Sequence, residues 1–188
     1  MPIRRHFWNA CCIGLLFLTT RCATALDPRY PLQHYGYQSW QTDDGLPQNT
    51  VHAVLQTHDG YLWFATEAGL VRFDGMQFAV FDKSNTPQLG SDLIYSLFED
   101  AHGALWISTS GGLTCFEDGR FKLFTRDDGL PANSIWSVYH SHDGSLWVLT
   151  TGGVGKYANG RFQALSFPQG LSATNTVTET PDGHRVFL

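Results

Sequence analysis

Three stretches of this chain repeat one another: "DGYLWFATEAGLVRFDGMQF", ending at Phe78, "HGALWISTSGGLTCFEDGRF", ending at Phe121, and "DGSLWVLTTGGVGKYANGRF", ending at Phe162. Their tryptophans, Trp63, Trp106 and Trp147, stand 43 and 41 residues apart. Gly60, Gly103, Gly144 and Gly183 keep the rhythm with steps of 43, 41 and 39. The motif "DDGLP" begins at Asp43 and again at Asp127, 84 residues on, with a degenerate copy, "NTPQLGSD", midway. A unit of this length buries its apolar faces only against its neighbours. With four strands per unit, a period of about 42 residues is that of a β-propeller blade.

Four strands are legible in each unit. In the first they are expected over 51–57, 62–66, 70–73 and 78–81, separated by "HDG", "EAG" and "DG", which suit tight hairpins. The first strand places Val51, Ala53 and Leu55 on one face and His52 and Val54 on the other. Its counterparts are Ile94, Ser96 and Phe98 with Tyr95 and Leu97, and Ile135, Ser137 and Tyr139 with Trp136 and Val138. Apolar residues on both faces fit a sheet packed between two others, and the small Ala53, Ser96 and Ser137 allow close approach. The expected class is therefore all-β: four-stranded blades at about 48–82, 91–125 and 132–166, with a partial blade over 171–188. The segment "YGYQSWQTDDGLP" parallels "GRFKLFTRDDGLP", so residues 37–41 read as an orphan outer strand of the kind that closes a ring by joining its last blade. Three and a half blades make an incomplete ring, expected to be the N-terminal part of a longer protein and poorly stable alone.

The start of the chain reads as a secretory signal. Arg4 and Arg5 precede an apolar run centred on "CCIGLLFL", and Ala23, Thr24 and Ala25 offer a small-x-small cleavage site, leaving 26–36 as a linker. The apolar run is shorter than the ~20 residues of a membrane span. Three of the 12 Lys/Arg and none of the 17 Asp/Glu lie in residues 1–25, so residues 26–188 carry 9 basic and 17 acidic side chains, a net of −8. That balance argues against nucleic acid or anionic lipid as a partner. Three of four cysteines also precede residue 26, so Cys115 alone remains and packing must hold the fold.

The segment "DDGLPQNTVHAVLQTHDGYLWFATEAGLVRFDG" and its two later copies resemble two-component regulator propeller repeats over roughly 35–188. The resemblance implies a propeller on the periplasmic side of the inner membrane, followed downstream by a membrane helix and a histidine kinase or another output module. It also implies a homodimer in the full-length sensor and a small-molecule or oligosaccharide ligand. Membrane attachment would run only through that downstream part; without one the protein would be secreted. One departure stands out: the second unit has Cys115 where its neighbours have the basic Arg72 and Lys156.

Little in the repeats points to chemistry. His58, His102 and His142 recur beside the Asp-Gly turns, but each belongs to a different blade and no metal-binding spacing exists, so turn roles are expected and no metal. The "DDG" loops lack the alternating acidic positions of a calcium loop. Cys115 has no nearby base, and the recurring tryptophans read as inter-blade packing. No catalytic residue and no cofactor are expected in this segment.

The better candidates lie where loops between blades share a face with the turns between second and third strands. Those segments contain Asp44, Asn49, Asp128, Asn133, Glu67 and Ser110, with Asp92 at the repeat position of Asn49 and Asn133. Tyr95 and Trp136, with His52 at the same repeat position, begin the innermost strands. Aromatic faces among amides and carboxylates suit carbohydrate, while an Asn or Asp in every repeat equally suits turn capping. Asn49, Asp92, Asn133, Tyr95, Trp136, Asp44 and Asp128 are therefore the candidate ligand-binding residues of a sensory module. The alternative is a secreted propeller enzyme, such as a polysaccharide or lactone lyase, with a His or Tyr base on the loop face. N-terminal sequencing of the exported protein is expected to start at Leu26; a retained residue 1 would overturn the cleavage site.

Overall fold

The computed structural model describes residues 38–165, 177–180 and 185–187. The expected signal (1–25), the linker (26–36) and most of the expected partial blade lie outside these residues. The described part is built of strands and short 3-10 turns, with no α-helix. No helix among the described residues is long and apolar enough to cross a membrane.

The first blade is an antiparallel meander of β1 (Val51–Gln56), β2 (Leu62–Thr66), β3 (Gly69–Phe73) and β4 (Phe78–Phe81). The second runs through β5 (Ile94–Glu99), β6 (Leu105–Thr109), β7 (Leu113–Glu117) and β8 (Arg120–Phe124). The third comprises β9 (Ile135–His140), β10 (Leu146–Thr150), β11 (Gly153–Ala158) and β12 (Arg161–Ala164). A hairpin of β13 (Val177–Glu179) and β14 (Arg185–Phe187) follows. Each four-stranded sheet is open, and neighbouring blades meet first along β1, β5 and β9. The molecule is thus an all-β, incomplete propeller.

The second strand of each blade explains why the repeat carries consecutive apolar residues. Trp63 and Ala65 join Leu70 in a core with Leu89, Ile94, Leu105 and Ile107 of the following unit, whereas Phe64 packs the other way with Leu46 and Val71. Trp106 likewise faces Ile135, Val148 and Phe162 of the third blade, while Ile107 faces the first. Alternate side chains along one strand therefore serve two different interfaces. The degenerate loop "NTPQLGSD" keeps the one residue this packing needs, since Leu89 is buried as Leu46 and Leu130 are. Val54, whose counterparts Leu97 and Val138 pack into the inter-blade cores, is 57% exposed, because no described strand lies against that face of β1.

Polar groups of the repeat are spent on turns. The buried Thr66, Thr109 and Thr150 hydroxyls donate to the carbonyls of Gly69, Gly112 and Gly153 at 2.7–2.8 Å and accept from the amides of Ala68, Gly111 and Gly152. The indole Nε1 groups of Trp63, Trp106 and Trp147 donate to Thr57 Oγ1, Asp100 Oδ2 and Ser145 Oγ at the Asp-Gly and Gly turns. A buried donor in every interface is thereby paired.

The expected orphan strand over 37–41 is not a strand over its described residues, because no described strand lies where it would pair. Trp40 nevertheless sits 5.1 Å from Phe73 and 5.9 Å from Phe78, ring centre to ring centre. Those are the contacts that Phe124 makes to Tyr157 and Phe162 two interfaces further on.

Gly129 of the second "DDGLP" has φ +94°, and a Cβ there would stand 2.0 Å from the carbonyl oxygen of Phe162 in the next blade. Gly60 has the same φ with nothing within 4 Å. Gly129→Ala is expected to cost more than Gly60→Ala, which bears only the ~1–2 kcal/mol of left-handed backbone strain. Denaturant melts of the two variants measure the difference, and equal losses would remove the close blade approach as its cause.

Candidate functional site

Sequence singles out two kinds of side chain on the loop face, and the structure separates them. The polar ones are occupied. Asn49 Oδ1 accepts from the Thr42 amide at 3.0 Å, Asn133 Oδ1 from the Arg126 amide at 2.9 Å, and Asp92 Oδ1 from the Lys83 amide at 2.7 Å. Each ties the end of an inter-blade loop to its beginning. Asp44 Oδ2 and Asp128 Oδ2 accept from the amides of Gln41 and Thr125, closing the 3-10 turns at Thr42–Asp44 and Arg126–Asp128. The loops are thus held by their own carboxylates and amides, each accepting from a backbone N–H earlier in the loop.

His52, Tyr95 and Trp136 are placed differently. In all three blades the pairing between first and second strands slips by one residue there. Val51 pairs with Thr66 and Ala53 with Ala65; Ile94 with Thr109 and Ser96 with Ser108; Ile135 with Thr150 and Ser137 with Leu149. The skipped residues are His52, Tyr95 and Trp136. A bulge leaves one residue out of the ladder and redirects its side chain. Here it breaks the alternation at the start of each innermost strand. The His52 and Tyr95 rings lie 6.4 Å apart, centre to centre, across the gap between β1 and β5.

Hydrogen-bonding groups flank this row. His52 Nε2 is 3.5 Å from Glu67 Oε1, and Gln48 Nε2 donates to Glu67 Oε2 at 3.1 Å. One repeat later, Ser110 Oγ and Ser91 Oγ are 2.6 Å apart. The third repeat has Ala132 and Thr151 at these positions, so Trp136 lacks that bridge beside it. Among the described residues, no group of three His, Cys, Asp or Glu side chains is arranged to hold a metal ion.

Two features of the opposite, turn end are not evident from local sequence. His58 Nδ1 lies 2.6 Å from Glu99 Oε1, and the His58 amide donates to the same carboxylate. The partners are 41 residues apart, so the pair links the first blade to the second. The hydrogen bond and charge of Glu99 raise the His58 pKa above 6.5. The repeat period itself could have pointed to it, because Glu99 ends the innermost strand one unit on.

The second feature is the basic position. Arg72 lies over the rings of Tyr61, at 4.6 Å, and Trp63, at 5.8 Å; Lys156 lies over Trp147 at 5.2 Å. Where Cys115 replaces the cation, Lys122, its cross-strand neighbour, supplies one over Phe124 at 4.5 Å. Burial pushes the Cys115 thiol up to about 12, so it stays a neutral, unreactive thiol.

Residues 45–68, 88–111 and 129–152 each match the family described as Two component regulator propeller. These are two-component regulator propeller repeats. Each match runs from the inter-blade loop through the bulged first strand to the turn after the second, and leaves out the outer strands. The propeller is similar to the extracellular domains of two hybrid two-component systems of B. thetaiotaomicron. One has a TM-score of 0.68 and 23% identity over 80% of this chain; the other has 0.59 and 24% over 74%. This chain spans 22% of the length of each. Virginiamycin B lyase from Staphylococcus aureus also aligns, with a TM-score of 0.56 and 16% identity over 77% of this chain and 50% of its own. At these identities the likeness is one of fold. Among curated proteins, none matches.

Because the His58 pKa is raised in the folded state, the His58–Glu99 link contributes fully below the unfolded value of about 6.5 and is lost as pH rises through the folded value. The Tm is expected to decline over that window and Glu99→Gln to flatten the decline. An unchanged slope in the variant would remove this link as its source.

Proposed function

We propose that this chain is the extracytoplasmic ligand-sensing propeller of a two-component sensor, binding a small-molecule or oligosaccharide ligand on its loop face. The observation that carries the reading is the β-bulge at one repeat position in all three blades, which sets His52, Tyr95 and Trp136 as successive side chains on the innermost strands. Ring faces stack on the apolar faces of sugars, while Glu67, Ser110 and Ser91 nearby bond hydroxyls. Asn49, Asp92, Asn133, Asp44 and Asp128 shape the loops around that row; their remaining lone pairs and donors are available to a ligand.

The kinship of the repeats supports the sensor class, as do extracellular domains of hybrid two-component systems among the similar folds. Ligand capture outside the membrane would bias a two-state arrangement read by an output module, through differential affinity for the two states. The orphan segment around Trp40 would close the ring against a last blade.

Thermal-shift titration of the full chain with oligosaccharides of defined length is expected to find ligands that raise the Tm. Trp136→Ala and Tyr95→Ala should each weaken them about tenfold, ~1.4 kcal/mol, without lowering the Tm of the free protein to a similar extent. Unaltered affinity in both variants would overturn the loop-face site. Conversion of the added sugar to product, abolished by His52→Ala, would instead favour the lyase reading.

A further inference from the structure

All three blades make the same bulge on the loop face, but they flank it with different side chains. β5 lies between β1 and β9, so His52, Tyr95 and Trp136 stand in that order along the row. Each is flanked by one residue from the loop before it and one from the turn after the second strand. For His52 these are Gln48 and Glu67, joined at 3.1 Å, with Glu67 also 3.5 Å from the imidazole. For Tyr95 they are Ser91 and Ser110, joined at 2.6 Å. For Trp136 they are Ala132 and Thr151, and Ala132 has no polar side-chain atom to join. The backbone beneath is the same in the last two cases. The Ser110 amide donates to the Leu93 carbonyl at 3.2 Å, and the Thr151 amide to the Ser134 carbonyl at 3.1 Å. The difference therefore lies in the side chains.

The row is graded as a result. Its first position has a carboxylate, an imidazole and a carboxamide, and its second a phenol and two hydroxyls. Its third has an indole, and residues 132–136 and 150–153 carry no charge. The polar side chains left in those segments are Asn133, whose Oδ1 is taken by the Arg126 amide, Thr150, whose hydroxyl donates to the Gly153 carbonyl, and the single hydroxyls of Ser134 and Thr151. A sugar laid on an aromatic face needs partners for the hydroxyls around its edge, because a hydroxyl taken from water and left unpaired is costly. An aryl group needs only the face. Trp136, half-buried like Tyr95, supplies that face where the partners are fewest.

We propose that the row takes a glycoside with an apolar aryl aglycone, its sugar on His52 and Tyr95 and its aryl group on Trp136, an assignment that rests on the loop-face reading and adds the ligand's polarity and direction to it. Glu67 and Gln48 then select the sugar, and Ala132 selects the aglycone. A plain oligosaccharide running along the row would place hydroxyls of a further ring beside Ala132.

Titration of the full chain with paired methyl and phenyl β-glycosides of glucose, galactose, xylose and mannose, followed by calorimetry, tests the proposal. At least one phenyl glycoside is expected to bind about tenfold more tightly than its methyl partner. Trp136→Ala should remove that ratio. Ala132→Ser, which installs the residue the second blade has at this position, should reduce it while leaving the Tm unchanged. Glu67→Gln should weaken both members of a pair alike and so preserve it. A ratio of one in every pair would overturn the proposal alone, provided that oligosaccharide affinity still falls in Tyr95→Ala. So would a ratio undiminished in both Trp136→Ala and Ala132→Ser, or no binding of any phenyl glycoside at millimolar concentration. Oligosaccharide affinity unaltered in both Tyr95→Ala and Trp136→Ala would instead overturn the loop-face reading, and the aryl glycoside with it.

Discussion

Burial of the second-strand tryptophans Trp63 and Trp106 against the next blade is the interaction on which the rest of this structure depends. Trp63 and Trp106 each sit on a second strand whose two faces serve two interfaces, so the first two blades share their cores with their neighbours. A four-stranded sheet alone cannot cover both apolar faces; stacking covers them in pairs. Truncating a buried Trp in such a core typically costs roughly 3–5 kcal/mol, which makes each interface, rather than each sheet, the unit of stability. The remaining repeat residues support that contact. The turn oxygens satisfy the indole N–H, Leu46, Leu89 and Leu130 fill the space behind the inter-blade loops, and a cation covers the outer rings.

The same packing divides labour between the two ends of the blades. At the loop end, Asn49, Asp92 and Asn133 hold the loops in shape, and the bulges present His52, Tyr95 and Trp136 from a rigid base. At the turn end the blades differ from one another. Arg72 with Tyr61 covers the rings of the first interface, whereas at the second, beside Ala104 and Cys115, the cation over Phe124 is Lys122 from the outer strand. Variation at the margins, which the loop end also shows in Gln48–Glu67, Ser91–Ser110 and the Ala132 and Thr151 of the third repeat, follows from one rule. Positions that build the interface are constrained by the neighbour, and positions at its margin are free to change in concert.

Much of this was legible in the residues. The strands of all three blades, the packing role of the tryptophans and the Asp-Gly turns follow from period, alternation and turn chemistry. The Asn or Asp at 49, 92 and 133 was readable as a turn cap, and each one does hold a loop. The segment over 37–41 reads as a strand because it copies residues 121–125 in sequence; strand structure needs a pairing partner as well, and among the described residues it has none. The exchange of Arg72 and Lys156 for Cys115 leaves a shared role for the basic position in doubt when read from the sequence. Lys122, seven residues away in sequence but opposite Cys115 across the hairpin, shows the role kept.

Sequence by itself determined the repeat, the four strands of each blade and the identity of the residues between blades, because periodicity and turn preference are local properties of the chain. Tertiary structure decided where those residues point and whom they meet. The bulges at His52, Tyr95 and Trp136 are slips of hydrogen-bond register between two strands, which neither strand specifies alone. The His58–Glu99 link and the His52–Tyr95 pair exist only when one blade is laid against the next. The physical reason is the same in each case: these features belong to contacts between surfaces some forty residues apart, and surfaces acquire a geometry only when they pack.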